Sequence, residues 1–152
     1  MMECGSLREV AEALHSGETN IYFHDSTHGR VNPVAAQSWN NVARALEAGS
    51  TRVQRLHLLF TSIPLECMIN LARAVGSSTS LAVLDLRGVN LFEADAFALA
   101  TAVATSKALT ELDLGQCGIT DNMVFALAHA ASTSTSLSIL CLQHNHITDV
   151  GA

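Results

Sequence analysis

The chain has 152 residues and a formal net charge of −6, which follows from 8 Lys and Arg against 14 Asp and Glu. Hydrophobic residues make up 49% of the chain, charged residues 14% and aromatic residues 5%. This length and composition fit one folded domain with a core of small aliphatic side chains, and they exclude a disordered chain. Because the balance is acidic and no Lys/Arg cluster occurs, we expect neither nucleic acid nor an anionic membrane surface as a partner.

Targeting signals and disulfide patterns are also missing from the sequence. The N-terminus, MMECGSLREVAEAL, carries charged residues where a secretory signal needs an apolar run, and no stretch is long and apolar enough to cross a membrane. The four cysteines include no CxxC pair. We therefore predict reduced thiols and a cytoplasmic location.

The first predicted element is a helix near the N-terminus. Ser6 and Glu9 have the spacing of a capping box, apolar residues follow on one helix face as far as Leu14, and Gly17 ends the helix. We expect this helix to cover the first strand of a sheet as an N-terminal cap.

A strand and an irregular loop follow. Residues 20–24 place Ile21 and Phe23 in alternating positions, which is typical of a strand with one buried face. The next helical pattern begins only after a long link that ends in Asn32-Pro33. We interpret this link as an insertion loop, with Asn32 as the helix N-cap and Pro33 at the first helical position.

The rest of the chain is an internal repeat of 28 residues. Stretches that begin at Leu81, Leu109 and Leu137 each open with L-x-x-L-x-L, and a weaker copy begins at Val53. The leucines alternate with period two, which predicts a short strand, and the apolar residues then recur at helical spacing. One such unit cannot bury its apolar face alone, so neighbouring units must stack.

This pattern, L-x-x-L-x-L-x-x-(N/C)-x-(I/L) followed by a helix, resembles the ribonuclease-inhibitor-like class of leucine-rich repeat proteins. The resemblance covers residues 53–152, as three full repeats and one truncated repeat, whereas residues 1–52 would supply the capping helix and an irregular first repeat. It implies an α/β solenoid, a horseshoe segment with a parallel concave sheet and outer helices. The strands are predicted at residues 20–24, 55–58, 83–86, 111–114 and 139–142.

The C-terminal end of this solenoid is predicted to be open. Residues 147–152 stop where the next helix would begin, and a solenoid needs a polar cap to stay soluble. We expect the native chain to continue; the alternative is that the uncapped strand edge associates with another chain.

Residues between the strand leucines project onto the concave face, where proteins of this class bind partners. The central column would contain Tyr22, His57, Asp85, Asp113 and Cys141, and we expect Asp85 and Asp113 to face solvent, so that changing both to Lys would leave the fold intact. For each residue the alternative is a solvated sheet face. The predicted partner-binding residues are Tyr22, His24, Arg55, His57, Phe60, Asp85, Arg87, Glu111, Asp113, Gln116, Gln143 and His144.

Two further residues, Cys117 and Asn145, occupy the Asn/Cys place of the repeat. Their side chains are predicted to satisfy backbone groups that the turn exposes. Val89 stands at the same place and cannot do so. A catalytic thiol at Cys117 would need a nearby His, so the structural role is favoured.

Enzyme and metal-site patterns are weak. The chain contains no GxxxxGK[ST], GxGxxG, GxSxG or HExxH motif. The His-rich stretches at residues 24–28 and 144–146 are better explained as surface histidines than as zinc ligands. Asp85 and Asp113 on neighbouring strands can share a proton, but a sheet face offers no pocket. We predict no catalytic residues, no metal and no cofactor.

The favoured function is a non-catalytic protein-interaction module that binds a protein partner through the concave face. The alternative is a regulatory region, because the 28-residue period and the ITDxG-type helix entry resemble those of Ran GTPase-activating proteins and of the sensor regions of NOD-like receptors. A third class is a carboxylate-based or metal-dependent enzyme that uses Asp85, Asp113 and nearby histidines.

Overall fold

The structure is a computed structural model that describes residues 2–24, 33–49 and 52–151. Within them, six strands alternate with five helices. The elements are β1 Met2–Cys4, α1 Leu7–His15, β2 Asn20–His24, α2 Pro33–Glu47, β3 Arg55–Leu59, α3 Leu65–Ser77, β4 Val83–Asp85, α4 Glu93–Thr105, β5 Glu111–Asp113, α5 Asp121–Thr133 and β6 Ile139–Cys141.

The strands form one parallel sheet in chain order, from β1 to β6. From β3 onward each residue pairs with the residue 28 positions along, as in the series Leu56, Leu84, Leu112 and Leu140. The helices pack side by side in the same order, each against the next. The predicted α/β solenoid with a parallel sheet and a helical layer is therefore confirmed.

The core lies between the sheet and the helices. Leu56, Leu84 and Leu112 are fully buried, which confirms the predicted strand register, whereas Leu140 in β6 is half-buried. Burying one such side chain stabilises the fold by about 1.5 to 3 kcal/mol. Trp39 of α2 is also buried and meets the ring of Phe23 edge-on, with the ring centroids 6.2 Å apart.

The N-terminal end differs from the prediction in one respect. The alternating pattern predicts residues 20–24 as the first strand, but β1 precedes α1 and pairs with β2, Met2 opposite Ile21 and Cys4 opposite Phe23. The helix α1 therefore belongs to the outer layer, where it packs against β1, β2 and α2. One half of the predicted capping box is present, because Ser6 Oγ accepts a hydrogen bond from the backbone N–H of Glu9 at 3.3 Å, whereas Glu9 Oε2 accepts from the N–H of Gly5 at 2.8 Å.

Other sequence expectations are met in part. Helix α2 begins at Pro33, as expected for proline at the first helical position. The proposed Asn32 cap and the insertion loop lie outside the described residues. Among the described residues, no helix has the length and apolar character that a membrane span requires.

One carboxyl group lies in the core. Asp95 of α4 occupies the repeat position that Cys67 and Met123 fill in the neighbouring helices, and it is 3% exposed. Its Oδ2 accepts a hydrogen bond from the Phe92 N–H at 2.9 Å, whereas its Oδ1 is buried without a hydrogen-bond partner. Burial raises the pKa of Asp95 above its ordinary value.

We expect Asp95→Asn to raise the free energy of unfolding at neutral pH by about 1 kcal/mol, because it removes a buried charge and keeps the acceptor for Phe92. Since the pKa of Asp95 is raised in the folded chain, the wild type should lose stability as the pH rises above about 4, the unfolded value. Denaturant unfolding of both chains between pH 4 and 7 measures the difference. A difference that does not grow with pH would contradict this account.

Candidate functional site

The site lies on the face of the sheet that points away from the helices, called here the open face. Strand pairing places Tyr22, His57, Asp85, Asp113 and Cys141 side by side across β2 to β6. This order is the central column that the repeat pattern predicts, because a fixed register carries equivalent residues to the same row.

Asp85 is the centre of a hydrogen-bonded cluster on this face. His57 Nδ1 lies 3.0 Å from Asp85 Oδ2, and Arg87 donates from Nη2 to the same oxygen at 2.7 Å and from Nε to Oδ1 at 3.0 Å. The Arg87 backbone N–H also donates to Oδ1, at 3.1 Å. The imidazole of His57 stacks on the ring of Tyr22, with the centroids 3.9 Å apart and the planes 8° from parallel. We call Tyr22, His57, Asp85 and Arg87 the open-face cluster.

Two opposing effects set the charge of Asp85. Burial raises its pKa, but hydrogen bonds from His57 and from the side chain and backbone of Arg87 lower it, and the result lies well below the ordinary range. In turn, the hydrogen bond to Asp85 raises the pKa of Arg87. Asp85 is therefore ionised. Acid/base chemistry by Asp85 and Asp113 would instead require the two carboxyl groups to share a proton.

The expected exposure of Asp85 is wrong. The residue is only 3% exposed, because the side chains of His57 and Arg87 bind its carboxylate. Asp113 differs, since it is half-buried, accepts a hydrogen bond from the Gly115 N–H at 2.9 Å and lies 3.5 Å from Arg87 Nε. Asp85 therefore holds the side chains of His57 and Arg87 in place, and the solvent-exposed groups of the cluster belong to the residues around Asp85.

The exposed charges of the open face are arranged by strand. Arg55 begins β3 and is exposed, and Arg87, just after β4, has a side chain that is 45% exposed. Glu111 and Asp113 of β5 are half-buried, and Gln143 after β6 is exposed. From β3 to β5 the open face thus runs from cationic groups to carboxylates, and the exposed Glu3 of β1, opposite Tyr22, adds a carboxylate at the N-terminal edge.

Three of the predicted site residues lie at the end of the strands, where the chain turns toward the helices. Phe60, Gln116 and His144 have φ angles of 50°, 59° and 58°, and Gly88 at the same repeat position has 73°. This left-handed position was not predicted, although Gly88 in the series is a sequence signal for it, because glycine adopts positive φ angles without strain. His24, also predicted, is exposed and contacts Phe60 edge-on, with the centroids 5.8 Å apart.

Asn145 and Cys117 bind the backbone of the turns. The Asn145 side chain accepts hydrogen bonds from the N–H groups of Cys117 and Ile119, both at 2.9 Å, and donates to the carbonyls of Leu114 and Leu142. The Cys117 thiol contacts the Leu86 carbonyl at 3.1 Å. Burial raises the pKa of Cys117 to about 12, so the thiol is a poor nucleophile near neutral pH.

Val89 occupies the corresponding place in the preceding repeat and is buried. We expect Val89→Asn to raise the free energy of unfolding by about 1 kcal/mol, because the new amide would bind the turn after β3 as Asn145 binds the turn after β5. Thermal unfolding of the variant and the wild type measures the effect. An unchanged or lower melting temperature would show that the buried site has no room for the amide or no unpaired group to bind.

The other candidate residues form no metal-binding cluster where the structure describes them. In residues 2–24, 33–49 and 52–151, no group of three or more His, Cys, Asp or Glu side chains is placed to hold a metal ion. His28 lies outside these residues. All four cysteines are free, and Cys141 alone is not fully buried.

Comparisons with known proteins agree with the repeat and the fold. A family model described as leucine rich repeat matches residues 105–128 and 133–152. Solved structures with the same fold include a Caenorhabditis elegans tropomodulin C-terminal domain, 13% identical with a TM-score of 0.69, over 91% of this chain and 83% of that one. Another is leiomodin-1 actin-binding site 2, 17% identical with a TM-score of 0.65, over 89% of this chain and 78% of that one. No curated protein matches the sequence.

The similarity to these structures is one of backbone fold. At sequence identities of 13% and 17%, no site residue can be transferred from them to this chain. The matched segments contain β5, the first part of α5, and β6, where the 28-residue repeat is most regular. Together with the parallel sheet and its row of outer helices, they show a leucine-rich-repeat-like solenoid fold, in which residues 105–128 and 133–152 match the leucine rich repeat model.

Proposed function

We propose that this chain is a non-catalytic protein-interaction module whose open face binds a protein partner. The observation that carries the proposal is the open-face cluster, in which one buried carboxylate fixes a histidine and an arginine, and a tyrosine stacks on the histidine. Groups that are already ordered lose little conformational entropy on binding. Tyr and Arg side chains are also enriched among the residues that contribute most to interfaces.

The arrangement of charge supports a partner of defined orientation. Arg55 and Arg87 lie on β3 and just after β4, whereas Glu111 and Asp113 lie on β5. A partner with carboxylates facing β3 and cationic groups facing β5 would match this distribution. Such complementarity mainly favours correct orientation and fast association.

The similar structures also favour a protein partner. The leiomodin-1 structure is named as an actin-binding site, and its fold resembles that of this chain. Actin is therefore the first defined protein to test, by co-sedimentation with filaments and by native gel shift with monomers. No binding in either assay would overturn actin as the partner.

Site-specific crosslinking tests the surface itself. A photo-crosslinking amino acid placed at Gln143, which is exposed beside the open face, should form discrete adducts in cell extract. The matched control carries the crosslinker at His129, exposed on α5 in the helical layer. Equal adducts from both positions, or none from Gln143, would contradict binding through the open face.

A charge reversal then tests the residues. Arg55→Glu should reduce the Gln143 adduct by about tenfold, because it places a carboxylate where the proposal requires a cation. Arg73→Glu, in the helical layer on α3, is the matched control and should leave the adduct unchanged. If both reversals have the same effect, the overall charge and not the open face determines capture.

A further inference from the structure

A second surface lies at the end of the strands, where the chain enters α3 and α4. Phe60, Gly88, Asn90 and Phe92 line a groove of about 420 Å³ there, together with residues of the turn after β3. We call it the rim groove. Phe60 is 51% exposed and Phe92 is 66% exposed, so two phenylalanine rings border the groove and meet solvent.

The ring of Phe60 is held in place before anything binds. It packs over Gly88, where any Cβ would collide with the ring, and the imidazole of His24 contacts it edge-on. Phe60 also has a φ of 50°, which is a strained conformation for a bulky side chain. The same position carries Gln116 and His144 in later repeats, so the fold does not require an aromatic residue there.

Phe92 is equally unexplained by the fold. It precedes α4 and its side chain makes no capping hydrogen bond. The equivalent residue before α5 is Thr120, whose side chain makes no capping hydrogen bond either, so the repeat does not require an aromatic residue at this position. The sequence therefore places exposed aromatic residues at two positions where other residues serve the repeat, and both line one groove.

Among the described residues, two exposed carboxylates lie next to the rim groove. Glu66 and Glu93, both exposed, lie in the first turns of α3 and α4 on this side of the sheet. Of the Lys and Arg residues from β3 onward, only Arg87 is next to the groove, and its guanidinium binds Asp85. Those residues are Arg55, Arg73, Arg87 and Lys107.

We propose that the rim groove binds a linear segment of a partner protein that carries an apolar side chain next to Lys or Arg. The apolar side chain would lie between Phe60 and Phe92, and the cationic group would face Glu93. This surface adjoins the open face at Arg87 but shares no lining residue with the open-face cluster, and binding there does not depend on the function proposed above.

Selection from a random peptide library displayed on phage tests the proposal. The full chain is the bait, and a double variant, Phe60→Gln with Phe92→Thr, is the comparison. Both substitutions are taken from equivalent repeat positions, Gln116 and Thr120, so the fold should persist, and thermal unfolding checks that it does. We expect enriched peptides that combine apolar and basic residues and bind the double variant about tenfold more weakly or worse.

Two controls complete the experiment. Phe125→Thr removes an exposed phenylalanine from α5, away from the groove, and Arg55→Glu alters the open face; both should bind the selected peptides like the wild type. The proposal is overturned if no peptides are enriched, if they are acidic, or if the double variant binds them equally. Sedimentation that shows self-association of the wild type but not of the double variant would also overturn it, because the occupant would be a second copy.

Discussion

The chain should be strongly destabilised when Leu112 is replaced by alanine. Leu112 is fully buried in β5, between β4 and β6 and beneath the helices. Truncating a buried leucine costs about 2 to 5 kcal/mol, and an inner repeat contributes to the interfaces on both sides. We therefore expect Leu112→Ala to lower the free energy of unfolding by that amount, measured by denaturant unfolding followed by circular dichroism.

A matched control separates burial from side-chain size. Phe125→Ala removes a larger side chain, but Phe125 is 54% exposed on α5, so its loss should change the unfolding free energy by less than about 1 kcal/mol. If Leu112→Ala lowers the free energy of unfolding no more than this control does, the buried strand leucines are not the main source of the stability of the repeats.

The repeat predicted much of the fold because its period fixes the pairing. A 28-residue offset aligned Leu84 with Leu112, and the structure pairs these residues across β4 and β5. Alternation within each strand then determined which side chains face the helices. The order of the central column from His57 to Cys141 followed from the same two facts, whereas Tyr22, which lies 35 residues before His57, was placed by the alternation of Ile21 and Phe23 alone.

The N-terminal strand was not predicted because β1 does not follow the period. Met2 pairs with Ile21, an offset of 19 residues, so self-comparison at 28 residues cannot find it. The strand has only three residues, although Met2 and Cys4 continue the apolar alternation of Ile21 and Phe23. Such a short alternation is too weak a signal without the neighbouring strand.

The burial of Asp85 was missed for a different reason. Alternation gives the face of a strand, but the exposure of a side chain there depends on residues from other repeats. His57 is 28 residues away and binds the carboxylate, and Arg87 folds back from two residues later. The sequence contains all three residues, but it does not give their side-chain rotamers, and these rotamers determine whether Asp85 is covered.

Substitution of Asp85 in the open-face cluster should also destabilise the chain strongly. We expect Asp85→Asn to lower the free energy of unfolding at neutral pH by about 2 to 4 kcal/mol, because the neutral amide loses charge-assisted hydrogen bonds from His57 and Arg87. Asp85→Lys should be worse and prevent folding, since it buries a cation beside Arg87. The sequence predicted that Lys at positions 85 and 113 would leave the fold intact. The burial of Asp85 contradicts the premise of that prediction, and we now expect the change at position 85 to disrupt the fold. Denaturant unfolding measures both variants.

The dependence on pH identifies the charge of Asp85 as the cause. Its pKa is lowered in the folded chain, so its contribution to stability is fully present above about pH 4, the unfolded value, and is lost as the pH falls toward the folded value. The wild type should therefore destabilise more steeply than Asp85→Asn below pH 4. Asp113→Asn, on the neighbouring strand, is the control and should keep the steep loss. Parallel curves for the wild type and Asp85→Asn would mean that shape, and not the ionised carboxylate, holds His57 and Arg87 in place.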